Sequence, residues 1–77
     1  MAYTYRTHEE ILNDLPQSVA THIRQVSDTI DRYKEQGHHE LVRQYKDGER
    51  GYIVALRDCG LICNTDMRRL IVRYVQR

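Results

Sequence analysis

The apolar positions of this chain recur at helical spacings over most of its length. Val19, Ile23, Val26, Ile30 and Tyr33 follow one another at intervals of 4, 3, 4 and 3, an a/d stripe that predicts a long helix over about 16–36. The stripe is narrower than the face a globular core demands, so it suits packing against one helix, either a neighbour or a second copy of the chain. Pro16 fits the first turn, and Gly37 supplies the left-handed residue that ends such a helix. Upstream, Thr7-His8-Glu9-Glu10 reads as a capping box opening a short helix with Ile11 and Leu12. That helix must end near Asp14, because Pro16 pushes Leu15 out of the α region. Residues 1–6 are expected to fray.

Beyond Gly37 the pattern predicts a short helix with Leu41, Val42 and Tyr45, then a polar turn over Lys46 to Gly51, then the apolar run Tyr52-Ile53-Val54-Ala55-Leu56. Taken alone that run is a strand, and the segment before the turn could pair with it as a hairpin at about 41–56. With Gly60 following, it reads better as a helix, because a Schellman ending would set Leu61 against Leu56. A final helix over 65–76 can be capped by Asn64 or Thr65, and Met67, Leu70, Ile71, Tyr74 and Val75 line its inner side. Val72 falls outside that stripe, among arginines. The expected architecture is a single all-α domain over 1–77, a small helical bundle with one long central helix and a basic C-terminal helix. The alternative is an α+β fold built on the 41–56 hairpin.

Composition sharpens this picture. Of 77 residues only eighteen are Ile, Leu or Val, and a core that small rarely supplies more than about 3 to 5 kcal/mol on its own. Oligomerisation through the long helix, with Val19, Ile23, Val26, Ile30 and Tyr33 as the seam of a homodimer, is the expected remedy. The net charge of +1 conceals an asymmetry: residues 1–36 carry −2, and residues 37–77 carry +3. Ten of the twelve basic residues are Arg and all six aromatics are Tyr, a skew that suits contact surfaces. Without a long apolar run or a signal-peptide pattern, no membrane span is expected and the cytosol is the default compartment. Two cysteines fall short of a disulfide framework, so free thiols are expected.

Candidate chemistry is sparse. The only serines, Ser18 and Ser27, sit in the long helix without a Gly-rich elbow, and no Gly-rich loop leads from a strand into a helix. Neither an enzyme nor a cofactor is expected. His38, His39, Cys59 and Cys63 have the composition of a structural zinc centre, but adjacent histidines point apart. The cysteines read as small buried hydrophobes and the histidines as residues of a helix start. His22 lies beside the a/d stripe and reads as a solvated histidine on the helix flank; if it instead faces a partner helix, its charge would make association pH-dependent near neutrality. The preferred function is a non-enzymatic protein-interaction module acting as regulator, inhibitor or adaptor. Its partner-binding residues would be Arg68, Arg69, Val72, Arg73, Tyr74 and Arg77. The alternative is a helix-turn-helix-like DNA binder, with Thr65, Arg68 and Arg69 reaching bases and Arg73 and Arg77 reaching phosphate.

Overall fold

Thr7 opens the first helix as the sequence predicts: its hydroxyl accepts from the Glu10 amide at 3.2 Å, and its own amide donates to the Glu10 carboxylate at 3.1 Å. In the computed structural model, which describes residues 6–76, this cap begins α1 (His8–Asp14), followed by α2 (Gln17–Glu35), α3 (His39–Asp58) and α4 (Asn64–Tyr74). The chain is an all-α bundle, and there is no strand among the described residues. Residues 1–5 lie outside the described residues. Arg6, expected to fray, instead binds both Asp14 and Asp66.

The two long helices end alike. Gly37 and Gly60 adopt φ of 77° and 80°, which L-residues with a side chain resist. Each then sits at the C′ position of a Schellman motif. The amide of Leu61 bonds the carbonyl of Leu56 and that of Gly60 the carbonyl of Arg57; His38 to Tyr33 and Gly37 to Lys34 repeat the pattern. Cys63, rather than Asn64 or Thr65, caps α4, its thiol accepting from the Asp66 amide at 3.5 Å. Chain direction is set one residue earlier than side-chain preference suggests, because Cys63 holds the extended backbone an N-cap needs.

The segment 46–51 is the main departure from expectation. No turn interrupts it: α3 runs unbroken for 20 residues through Gly48 and Gly51. Each glycine costs about 1 kcal/mol in a helix interior. That cost is outweighed by the continuous inner stripe Val42, Glu49, Ile53, Leu56, which packs along α2. The hairpin is excluded by the same stripe, which has helical rather than alternating period.

The α2 face is also broader than its a/d stripe. Ala20, Ile23, Ser27 and Ile30 are buried, while Val19, Val26 and Tyr33 are half-buried on its flank. α2 packs most extensively on α3 and also meets α1 and α4, so the stripe offered for a homodimer finds its partners inside the chain. One core joins Ile11, Leu12 and Leu15 to Ile23, Ile53, Leu56, Leu70 and Val75. The α2–α3 pair extends past this core in a molecule of 46 × 22 × 18 Å, with Ile30 and Val42 buried between the helices outside it.

Candidate functional site

α4 presents its inner stripe to this core, which leaves an outer side of mixed character. Val72 is 58% exposed. With Arg68, the half-buried Ile71, Gln76 and Arg50 of α3 it rims a shallow depression of about 350 Å³. The sequence pattern does not place Arg50 on this surface. Its place in the chain looked like a turn, and only an unbroken α3 carries it alongside α4.

The remaining predicted partner-binding residues diverge from this patch. Tyr74 is not a surface residue: it is buried in the core, edge-on to His8 with ring centroids 5.8 Å apart. Arg73 turns toward α1, its Nε donating to His8 Nε2 at 3.3 Å with its guanidinium 6.0 Å from the Tyr74 ring centre. Arg69 is half-buried, and Arg77 lies outside the described residues. Thr65 is half-buried in the first turn of α4, beside an Asp66 that is buried and bound by Arg6.

The four candidate zinc ligands do not meet. His38 stands at the N-cap position of α3, without a side-chain cap bond, and His39 begins the helix, whereas Cys59 and Cys63 follow its far end, about 30 Å away for a helix of this length. No group of three or more potential ligands gathers among the described residues. Both thiols are free and exposed, not buried as expected, because they occupy the α3–α4 turn rather than a packed face.

A second site lies between α2 and α3. Glu49 occupies a core position of α3 and is 3% exposed. Its Oε1 pairs with Nε2 of His22 at 3.2 Å, and Oε2 has no hydrogen-bond partner among the described residues. Burial pushes the Glu49 carboxyl above the usual carboxylate range, and the adjacent His22 offsets part of that rise. The His22 ring lies over Tyr52 with centroids 4.1 Å apart and planes tilted by 33°.

These groups border a cleft of about 510 Å³ completed by Val26, Tyr45 and Gly48. Tyr45 leans on Tyr33 at 5.5 Å. The arrangement can hold a positive charge, because a buried acceptor group faces π-rich walls. The signal was present in the sequence: the spacing Val42, Tyr45, Glu49, Tyr52, Leu56 carries an acid at a core position, hidden only by reading 46–51 as a turn.

Among the described residues no helix is long and apolar enough to cross a membrane. The chain matches no family model, no curated protein and no solved structure.

Proposed function

We propose that the chain is a small non-enzymatic interaction module that binds another protein through the outer side of α4, acting as regulator, inhibitor or adaptor. Val72, the most exposed large apolar side chain among the described residues, is seated with Arg68 and Arg50 around one depression. An apolar centre rimmed by guanidinium groups is the composition of interface hot spots. The folding role of α4 is met by Leu70, Tyr74 and Val75, so Val72 contributes nothing to the core. Two exposed thiols without a bridge suit a reducing compartment such as the cytosol. Since the α2 stripe is occupied within the chain, a second copy is no longer needed to cover it.

Capture of partners from the native host tests this reading, with wild type compared against Val72→Asp and an Arg50→Ala, Arg68→Ala variant of unchanged circular dichroism. A protein recovered by wild type and lost by both variants supports it. Anisotropy with duplex DNA at two salt concentrations runs alongside. Phosphate tracking would make affinity fall by orders of magnitude with added salt, and such a result would give the surface to nucleic acid instead.

A further inference from the structure

The geometry points to the Glu49 cleft as a receptor for the arginine side chain of a partner protein, with the guanidinium stacked on Tyr52 and forked onto the Glu49 carboxylate. This site is formed by α2 and α3 and shares no residue with the α4 patch. It rests on the interaction-module reading only for the source of the arginine.

An ionised carboxylate accepts at two oxygens, and one left buried without donors costs free energy of the order of a lost charged hydrogen bond or more. Among the described residues His22 Nε2 stands 3.2 Å from Oε1, while Oε2 has no hydrogen-bond partner, although Leu or Ile at this position would complete the apolar stripe of α3. A carboxylate met at one oxygen only leaves the other open to a donor from outside the fold.

His22 displays the form that donor takes. Its imidazole is a planar nitrogen group that lies over Tyr52 and brings Nε2 within 3.2 Å of Glu49. A guanidinium is also planar and stacks on an aromatic face in the same way. It adds what imidazole lacks, two parallel N–H groups that reach both oxygens of one carboxylate. The His22 side chain is 44% exposed, so it can swing outward to yield its place. An ammonium is a point charge that neither stacks nor forks, which makes lysine the poorer fit.

Gly48 leaves the entrance open. It has ordinary helical backbone, and a Cβ placed there would meet nothing within 4 Å. Neither backbone conformation nor packing explains this glycine, whereas an unobstructed path past Tyr45 to Glu49 uses the space it leaves.

Titrating blocked arginine (N-acetyl-arginine methylamide) into 15N-labelled protein at about pH 8, above the ordinary carboxylate range, tests the assignment. Blocked lysine and blocked citrulline serve as comparisons. Saturable amide shifts confined to residues around 22, 45, 48, 49 and 52 are expected with arginine. Lysine should bind more weakly and citrulline at least about tenfold more weakly, because it keeps the shape and loses the charge. Glu49→Gln should abolish the arginine response. Should that variant unfold, the wild-type comparison of arginine with citrulline still decides. Equal responses to arginine and citrulline, no saturable response, or a response elsewhere would overturn the proposal. So would shifts at these amides on raising protein concentration alone, which would give the site to a second copy of this chain.

Discussion

Arg6 binds Asp66 across sixty residues of sequence, and the same guanidinium also binds Asp14 at the end of α1. The contact ties the segment before α1 to the first turn of α4, where Asp66 also complements the helix dipole. Asp66 holds the Arg6 guanidinium above its usual range, chiefly by the side-chain hydrogen bond. Replacing Arg6 by Met leaves Asp66 largely buried without its cation, at a cost of roughly 1 to 3 kcal/mol. Urea denaturation of Arg6→Met should show that loss and should show less of it in Arg6→Lys. A wild-type midpoint for Arg6→Met would mean that the Asp66 carboxylate is satisfied by solvent.

Glu49 gives stability an unusual pH dependence. Burial raises its folded pKa, so above the ordinary carboxylate range the unfolded chain releases a proton that the folded chain keeps. Its contribution is therefore fully present at acid pH and is lost as pH rises toward the folded value. Glu49→Gln removes this term, so its stability advantage over wild type should be smallest near pH 4 and grow toward neutrality. Glu10 runs the other way: its bonds to Thr7 hold its carboxyl low, and that stabilisation fades on acidification. Urea midpoints of both proteins across the pH range would settle the sign. A difference independent of pH would show that burial leaves the Glu49 carboxyl unshifted.

α3 also explains which parts of this molecule were legible in its sequence. The capping box at Thr7, both glycine endings and the bounds of α2 follow from local chemistry and could be read directly. The Lys46-Asp47-Gly48-Glu49-Arg50-Gly51 segment could not, because local turn chemistry and long-range packing oppose each other there, and packing against α2 prevails. Glu49 and Arg50 lie inside that segment, so both surfaces were obscured by one misplaced break. Ser27 and Ala20 were missed for a different reason. Neither is apolar enough to mark a stripe, yet both fit the close approach of helices.

Gly51 is a helix-interior glycine with nothing near its missing Cβ and no positive φ. Gly51→Ala should therefore stabilise the protein by about 0.5 to 1 kcal/mol through reduced freedom of the unfolded chain. A shift of the thermal midpoint upward is the readout. Destabilisation would show that α3 is broken at this point.

Ile23 is fully buried between α2 and the rest of the core. Ile23→Ala should cost about 2 to 5 kcal/mol, as large-to-small changes in cores do. The loss should be the same at low and high protein concentration, since its contacts are intramolecular. If the midpoint instead rises with concentration in wild type and ceases to do so in the variant, the stripe is the seam of a homodimer.

The side-chain cap of α4 rests on a single sulfur atom. Cys63 Sγ accepts from the Asp66 amide at 3.5 Å, a long contact made by a weak acceptor. A hydroxyl accepts more strongly and Ser is among the best N-caps, whereas Ala cannot cap at all. Cys63→Ser should keep or raise the thermal midpoint, and Cys63→Ala should lower it, with roughly 1 kcal/mol between the two variants. Cys59 stands at the C-cap of α3 with its thiol exposed, so Cys59→Ala should change little. A strong chelator should leave the midpoints of all four proteins unmoved, because the histidines at the other end of α3 cannot reach either thiol. If removal of either cysteine unfolds the chain and zinc restores the wild type after chelation, the thiols serve a metal rather than a helix end.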